Sequence, residues 1–443
     1  MTIWSPRLSD SSEPIYRRIA DALERDVAAG LLVAGSQLPT HRHLARLLGI
    51  TPVTVTRAYA ESARRGLVES STGRGTFIRR TPPRAHEAAR EIDLATNTVH
   101  TLLPVVASAT LQRLTSTLTA TYAVGPGSER HRAAGAAWIG RGTDPADVVV
   151  TAGTQHALLL AFAALARPGE TILTEALTYH GAKAVAALLH IKLQPLTLDR
   201  YGIVPDAFER ACRARASKVL YTIPSLHNPT GMVVPEKRRR ELAAIATKYG
   251  VTIIEDDVCG FLLDTTPQPM AAFAPDRTIF LTGLGKALAP ALRLGYLTAP
   301  DTLLPRIHAS LAATILFASP LVAELAATWI EDGTAARITA QKRAEVAVRN
   351  RAARRILGRE LTGDPRSSHV WLELPKRWSG DAFAEEARRR RVRVAAASSF
   401  AVGADVPRAV RISIGAPQTL ADLESALQVI AGIEEERGTE MVV

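Results

Sequence analysis

Lys286 lies in the segment Thr282-Gly-Leu-Gly-Lys286-Ala-Leu-Ala-Pro-Ala-Leu-Arg293, in which a lysine precedes an arginine by seven positions. A lysine amine can condense with a carbonyl carbon, and a guanidinium can hold a phosphate or a carboxylate. Pyridoxal phosphate requires both of these groups from a protein. The segment therefore predicts a cofactor site in which Lys286 forms the Schiff base.

Three other polar segments each follow a short apolar run and could serve the same site. The segment Thr151-Ala-Gly153-Thr154-Gln155 precedes an apolar helical pattern, so its amides could bind phosphate, although these residues alone favour a plain strand-to-helix turn. Asn228-Pro-Thr-Gly231 offers an amide to a phenolate oxygen or forms a simple turn. Glu255-Asp256-Asp257 could bind a metal, cap a helix or hold a protonated pyridine nitrogen, and no partnering histidine favours the metal.

The elements that must position these residues follow an alternating pattern. From residue 92 onward, helical stretches alternate with short β-branched runs, which predicts an α/β fold with a mainly parallel sheet. The runs cover residues 147–151, 171–174, 218–222, 252–255 and 278–281. Ligands of such folds lie beyond the carboxyl ends of the strands, and the polar segments fall there.

The first eighty residues begin with the pattern of short helices. Apolar residues at every fourth position predict an amphipathic helix over residues 15–29. A second helix is predicted over residues 41–48, with Thr40 as its N-cap and Gly49 at its C-terminal end.

A third helix is predicted from Thr51 and Pro52 to Gly66, after a turn of two residues. This spacing is typical of a helix-turn-helix, whose second helix enters the major groove of DNA with its N-terminal side chains. Two strands at residues 67–69 and 76–78 would then form a wing. The side chains predicted to read the groove are Thr51, Thr54 and Arg57.

Composition limits the class of protein. The chain of 443 residues is long enough for two or three domains, and its 47% hydrophobic and 22% charged residues are ordinary for a globular protein. Two cysteines cannot build a disulfide framework, and no apolar run is long enough to span a membrane. These features predict a cytoplasmic protein that does not associate with membranes.

The distribution of charge and a proline-containing segment indicate where the chain divides into domains. Residues 1–80 hold 12 arginines against 7 acids, a surplus of five positive charges within a chain of net charge +11. Such a surplus suits a phosphate backbone. Residues 81–91 contain two prolines and no apolar period, which predicts a solvated linker. The predicted domains are therefore residues 1–80 and 92–443.

The N-terminal segment resembles a known family of DNA-binding proteins. Its residues Gly35-Ser-Gln-Leu-Pro39-Thr-His-Arg42-His-Leu-Ala45 through Thr54-Val55, with Gly73-Arg-Gly-Thr-Phe77, are similar to the GntR family of bacterial repressors over residues 14–79. The resemblance implies that double-stranded operator DNA is the partner. It places Arg42, Thr51, Thr54 and Arg57 in and beside the major groove and Arg74 in the minor groove.

Residues 92–435 resemble the fold-type I aminotransferases, which bind pyridoxal phosphate. The resemblance rests on ordered agreement at Tyr122, Gly153, Thr154, Gln155, Tyr179, Asn228, Asp256, Lys286, Arg293 and Arg411. It implies that Lys286 carries the cofactor as an aldimine and that Asp256 keeps the pyridine nitrogen protonated. It also implies that Arg411 binds the α-carboxylate of a substrate or effector.

The same resemblance assigns the remaining cofactor contacts. Tyr179 would stack on the ring, and Asn228 would bond to its O3′ atom. The phosphate would be held by Arg293 together with the amides of Thr154 and Gln155. Tyr122 would reach the phosphate in the neighbouring subunit, which implies a homodimer.

Three positions depart from the aminotransferase pattern at the cofactor. Cys259 stands where that family usually has a tyrosine that bonds to O3′, and Gly283 and Gly285 replace serines that usually bond to the phosphate. Each missing bond to a charged group costs roughly 1.5–3 kcal/mol unless another donor compensates. These losses favour reversible sensing of the cofactor over efficient turnover.

A GntR-like winged helix followed by an aminotransferase-like domain is the arrangement of the MocR subfamily of regulators. The resemblance implies a PLP-responsive transcriptional regulator with an amine or amino-acid effector. Two alternatives remain at this stage. One is a catalytically active aminotransferase with a fused DNA-binding domain, and the other is a regulator whose large domain is only a dimerisation scaffold.

Overall fold

The computed structural model describes residues 4–6, 13–28, 32, 35–64, 67–71, 75–78, 91–99, 125–358 and 361–435. Two compact units make up the chain, Met1–Arg90 and Glu91–Val443. Two residues predicted to bind ligands, Arg74 and Tyr122, lie outside the described residues.

Helix-capping residues set the bounds of the N-terminal helices. Thr40 is extended and its hydroxyl accepts a hydrogen bond from the amide of His43 at 3.3 Å, while Gly49 ends the second helix with φ 65°. The helices are α1 (Ile15–Ala28), α2 (His41–Leu48) and α3 (Pro52–Arg64), and the strands are β1 (Val68–Ser71) and β2 (Gly75–Ile78). The helix-turn-helix pattern of the sequence thus appears as two helices separated by three residues.

The core of this unit lies between the helices and the hairpin. Ile19 and Leu23 of α1 are fully buried, as the fourfold period predicts, and they pack with Leu44, Val55 and Ala58. The hairpin is longer than predicted, because Ser70 pairs with Thr76 and Ser71 with Gly75. A backbone ladder can continue through polar residues that no apolar pattern reveals.

A mainly parallel sheet forms the centre of the second unit, as the alternating pattern predicts. Within the described residues it has seven strands in the order β4-β12-β11-β10-β9-β5-β6. Their bounds are β4 Val148–Thr151, β5 Thr171–Glu175, β6 Lys192–Leu196, β9 Val219–Thr222, β10 Thr252–Asp256, β11 Thr278–Gly283 and β12 Gly295–Thr298. The sequence missed β6, which pairs in parallel with β5, and β12, which runs antiparallel to β11 and β4.

Helices and a smaller sheet complete this unit. The helices are α4 Glu129–Ile139, α5 Thr154–Leu165, α6 His180–Leu188, α7 Pro205–Arg213, α8 Glu236–Tyr249, α9 Leu284–Ala287, α10 Leu304–Thr314, α11 Pro320–Glu331, α12 Thr334–Leu357, α13 Gly380–Arg389 and α14 Leu420–Glu435. An antiparallel sheet follows the order β13-β14-β17-β16, with bounds Leu361–Thr362, Val370–Glu373, Ala409–Ile412 and Ala395–Ala396. Two short pairs are β7 (Leu198–Asp199) with β8 (Gly202–Ile203), and β3 (Ile92–Asp93) with β15 (Val392–Arg393).

None of the described helices is both long and apolar enough to cross a bilayer.

Candidate functional site

The turn that carries Lys286 lies at the carboxyl end of β11. Gly283 ends that strand, and Lys286 follows on the short helix α9 with its side chain half-buried. The carbonyl oxygen of Lys286 accepts a hydrogen bond from Nζ of Lys342 at 2.8 Å. Lys342 is buried on α12, and burial lowers the pKa of its amine to about 8. Helix α12 therefore anchors the Lys286 turn through a contact that the sequence did not indicate.

Asp256 ends β10 with one carboxylate oxygen satisfied and the other not. Its Oδ2 accepts a hydrogen bond from the hydroxyl of Tyr221 at 2.9 Å. Its Oδ1 is buried and has no hydrogen-bond partner among the described residues. Burial raises the pKa of Asp256 to about 6, while the Tyr221 bond and the charge of Lys286 act in the opposite direction. A buried acceptor of this kind fits a protonated ring nitrogen.

The acids on either side of Asp256 face elsewhere, because successive side chains of a strand point to opposite faces. Glu255 lies 3.5 Å from Nη1 of Arg239, and burial raises the pKa of its carboxyl to about 7. Burial also raises the pKa of Asp257, and the charge of Arg239 opposes that shift. In the part of the chain that the structure describes, no three potential ligands are grouped to hold a metal ion.

Arg411 lies on β17 and contacts Asn228 from the loop after β9. Its Nη1 donates to Oδ1 of Asn228 at 2.7 Å, and its Nη2 donates to the carbonyl oxygen of Ala95. The guanidinium carbon lies 4.8 Å from the centre of the Phe400 ring. Arg411 is 1% exposed, and burial lowers the pKa of its guanidinium to about 10. Asn228 is predicted to bond to the O3′ atom of the cofactor, and Arg411 is predicted to bind the carboxylate of a substrate or effector. The structure joins these two side chains by a direct hydrogen bond.

Tyr179 precedes helix α6 and packs closely on the backbone that follows it. A Cβ atom at Gly181 would lie 2.2 Å from the Tyr179 ring, so only glycine fits there without movement. Nε2 of Gln155 donates to the carbonyl of Gly181 at 3.0 Å. Burial and the charge of Asp256 raise the pKa of the Tyr179 phenol. Tyr179, which is predicted to stack on the cofactor ring, therefore lies close enough to Asp256 for the charge of the aspartate to raise its pKa.

The start of α5 meets the strand that leads to Lys286. Gly153 precedes α5 with φ 86°, and the guanidinium of Arg293 lies beside it, 3.4 Å from the position that a Cβ of Gly153 would take. A Cβ at Gly283 would lie only 2.3 Å from Oγ1 of Thr154. The Thr154 hydroxyl thus occupies the space that a serine at residue 283 would need.

The remaining two departures differ from Gly283. A Cβ at Gly285 would meet nothing within 4 Å, so glycine is not required there by packing. Cys259 is buried in an apolar cluster with Leu226, Leu262 and Val346, and burial raises the pKa of its thiol. Its surroundings are those of a core side chain.

Besides Lys342, three residues of this site were missed from the sequence. Tyr221 had a usable signal, since it lies near the carboxyl end of a predicted strand with alternating faces. Ala95 contributes only a carbonyl oxygen, and Phe400 contributes a ring from a separate loop. Neither contribution leaves a pattern in the sequence.

The N-terminal unit places Thr51, Thr54 and Arg57 at or near the start of α3, and Arg42 on α2. The hydroxyls of Thr51 and Thr54 are 2.9 Å apart, and the Thr54 amide donates to Oγ1 of Thr51 at 3.3 Å. Arg57 and Arg42 are exposed. Val53 is 63% exposed at the same end of α3 and was not among the residues predicted to contact DNA. An exposed apolar side chain there suits a thymine methyl group.

Both units of the chain match known protein families. The family described as aminotransferase class I and II matches residues 89–430, and the family described as bacterial regulatory proteins, gntR family, matches residues 15–78. The uncharacterized HTH-type transcriptional regulator YdeF of Bacillus subtilis is 33% identical over 96% of each chain. The chain belongs to the MocR subfamily of GntR-type regulators. This MocR-type regulator is also similar to YisV of the same bacterium, with 26% identity over 97% of each chain.

Solved structures show the fold of the large unit of this MocR-type regulator. An archaeal alanine:glyoxylate aminotransferase superposes with a TM-score of 0.73 at 22% identity, covering 79% of this chain and 92% of the other. The α-aminoadipate aminotransferase LysN of Thermus thermophilus superposes with a TM-score of 0.72 at 23% identity, covering 85% and 98%. The unit therefore has the fold-type I aminotransferase fold.

Proposed function

We propose that this transcriptional regulator binds operator DNA in response to pyridoxal phosphate attached to Lys286. The observation that carries the proposal is the buried Oδ1 of Asp256, which has no partner in the described part of the chain and lies in the electrostatic range of Lys286. A buried carboxylate oxygen without a donor is costly, and a protonated pyridine nitrogen would supply one. The solved LysN complex contains a phosphopyridoxyl adduct, which agrees with the proposal.

Each end of the cofactor would meet a separate group of residues. Tyr179 would pack on the ring, and Asn228 would bond to its O3′ oxygen. The phosphate would be bound by Arg293, by the amides of Thr154 and Gln155, and by the Thr154 hydroxyl. An anion at the start of a helix is further stabilised by the helix dipole. When bound, pyridoxal phosphate withdraws electrons from carbon atoms next to an attached amine.

An amine or amino-acid effector would bind beside the cofactor. Arg411 is buried, and its Nε has no hydrogen-bond partner among the residues described. A guanidinium with free donor capacity in a dry site binds a carboxylate strongly. Gly285 supplies no donor to the cofactor and the Cys259 thiol is only a weak one, so the site suits reversible occupancy more than sustained turnover.

The N-terminal unit would bind operator half-sites as part of a homodimer in the cytoplasm. Thr51, Thr54 and Arg57 at the start of α3 would contact base edges, and Arg42 would contact the backbone beside them. Arg74 would enter the minor groove, and Tyr122 would reach the cofactor of the partner subunit.

An absorbance titration of the full chain with pyridoxal phosphate tests the cofactor. We expect a visible absorbance band that Lys286→Ala abolishes, and DNA binding by this variant should remain but should no longer change when pyridoxal phosphate is added. DNA enriched from a random-sequence library, assayed at several salt concentrations, tests the regulator function. Absence of the band would reduce the large unit to a scaffold, and steady transamination of many amino acids would favour the aminotransferase alternative.

A further inference from the structure

The arginine proposed to receive the effector also holds the backbone just after the predicted linker. Arg411 donates to the carbonyl oxygen of Ala95, and its other terminal nitrogen donates to Asn228 at 2.7 Å. Ala95 lies five positions after Arg90, where the first unit ends. An effector carboxylate at Arg411 would therefore meet a guanidinium whose terminal nitrogens already bond to the protein.

A single side chain shapes the turn that presents the Ala95 carbonyl. Oδ1 of Asp93 accepts hydrogen bonds from the amides of Ala95 at 2.7 Å and Thr96 at 3.1 Å. Oδ2 of Asp93 accepts a bond from the Thr96 hydroxyl at 2.7 Å. Such turns depend on the aspartate, because its oxygens replace backbone acceptors.

The residues around this turn are bonded to the small sheet that carries Arg411. The amide of Leu94 donates to the carbonyl of Arg393 at 2.8 Å, and the carbonyl of Leu94 accepts from the amide of Ser413 at 2.7 Å. The turn is therefore attached on one side to the strand next to Arg411.

A second path joins the same segment to the Asn228 loop. Nδ2 of Asn97 donates to Nδ1 of His369 at 3.2 Å, and Nε2 of His369 donates to the carbonyl of His227 at 3.0 Å. Burial and the charge of Arg411 lower the pKa of His369 well below its ordinary value, so the ring is neutral and can accept from Asn97. Both partners of Arg411 are thus tied to residues 91–99.

We propose that the turn Asp93–Thr96 competes with the effector carboxylate for Arg411, and that Asp93 is the positioning residue of this turn. The inference rests on the proposed role of Arg411. A carboxylate is a stronger acceptor than a carbonyl oxygen, so the effector replaces Ala95 at the guanidinium. The released turn moves the segment that leads to the linker. Both bidentate arrangements of a carboxylate on a guanidinium use Nη2, so a carboxylate that takes the Nη2 hydrogen now directed at Ala95 displaces that carbonyl, and this exchange couples effector binding to DNA binding.

The test compares three variants of the full chain loaded with pyridoxal phosphate. Asp93→Ala removes both acceptors of the turn, and Asp93→Asn keeps one oxygen. Asp144→Ala is the matched control, because Asp144 accepts the same kind of local bond from the Ala146 amide at 2.8 Å on an exposed surface. The probes are L-alanine, L-glutamate and succinate. Binding of the two amino acids is measured by absorbance, and binding of succinate is measured by calorimetry.

Loss of the competing turn should raise the affinity for the probes and reduce the effect of each probe on DNA affinity. Asp93→Ala should bind the probes about tenfold more tightly, as expected for removing one competing bond to a charged group. The change in DNA affinity that each probe causes should shrink at the same time. Asp93→Asn should lie near the wild type, and Asp144→Ala should equal it. Equal or weaker probe binding by Asp93→Ala overturns the proposal, because a merely structural role lowers both quantities.

Hydrogen exchange provides a readout that needs no effector. In Arg411→Gln and in Asp93→Ala, the amides of residues 94–97 should exchange at least several-fold faster than in the wild type. Unchanged exchange in both variants, with native circular dichroism, also overturns the proposal. A wild type without the cofactor band or without DNA binding contradicts the proposed function itself, and this is seen before any variant is compared.

Discussion

The two ends of the candidate site differ in what the protein has already bonded. At the ring and phosphate end, Oδ1 of Asp256 lacks a partner in the described chain, and the exposed Arg293 faces the start of α5. At the carboxylate end, Arg411 is bonded to Asn228 and to the carbonyl of Ala95. A ligand at the first end only completes hydrogen bonds, whereas a carboxylate at the second end meets a guanidinium whose Nε is free but whose Nη1 and Nη2 are already bonded, and in our proposal it displaces the Ala95 carbonyl. Cofactor binding should stabilise the existing arrangement, and effector binding should change it.

The largest expected effect comes from removing the unsatisfied acid at the ring end. Asp256→Asn keeps the oxygen that accepts from Tyr221 but cannot hold a protonated nitrogen, so cofactor affinity should fall about 100-fold. The cofactor-free variant should melt a few degrees higher than the wild type at pH 8, because a buried charge is removed. Absorbance titration and thermal melts measure the two effects.

The pH dependence of that stability gain follows from the direction of the shift. Burial raises the pKa of Asp256 in the folded chain to about 6, above its ordinary value of 3.8. The folded state therefore loses stability as the pH rises through this interval, and the loss is complete above pH 6. Asp256→Asn and the wild type should melt alike near pH 4. A constant difference at all pH values would contradict the assigned cause.

The phosphate end can be tested by exchanging two side chains. Gly283→Ser should clash with the Thr154 hydroxyl, and Thr154→Ala should lose a donor, so each should weaken cofactor binding about tenfold. The double variant should recover most of this loss, because a serine at position 283 then has both space and a hydroxyl. Gly285→Ser adds a hydroxyl without a clash, since its Cβ meets nothing within 4 Å, so it should not weaken cofactor binding. Additive losses in the double variant would show that the two positions do not share one space.

The DNA-binding unit should respond independently of both ends of the site. Arg57→Ala should weaken DNA binding by a few-fold and reduce the salt slope by about one, as loss of one phosphate or base contact does. Cofactor affinity should not change. Fluorescence anisotropy at several salt concentrations checks the first effect, and a variant at the equally exposed Arg200 serves as the control.

The smallest expected effect concerns a buried acid away from the proposed ligand contacts. Burial raises the pKa of Glu175 to about 7, above its ordinary value of 4.5. The folded chain therefore loses stability between these pH values, and Glu175→Gln should melt slightly higher at pH 8 but not at pH 4. Glu209→Gln should melt slightly lower at both pH values, because bonds from Lys248 and Tyr249 lower the pKa of Glu209 to about 2 and the resulting stability is lost only as the pH falls through that value. Melting curves at both pH values compare the two variants.

The sequence predicted those parts of the fold that depend on local pattern. The strands ending at Thr151, Glu175, Thr222 and Asp256 follow from β-branched runs, and their polar residues fall at the carboxyl ends where ligands lie. Strand β12 was missed because Gly295–Thr298 is short and directly follows the Lys286 segment. Its antiparallel direction depends on pairing with β4, a strand more than one hundred residues away.

Residue types alone determined the chemistry available to this protein: an amine at Lys286, a carboxylate at Asp256, guanidinium groups at Arg293 and Arg411, and a separate helix-turn-helix. The tertiary structure decided which of these groups are already satisfied. The Thr154 hydroxyl fills the space beside Gly283, and the Ala95 carbonyl bonds to Arg411. Both facts depend on distances between segments far apart in the chain, which a sequence pattern does not encode.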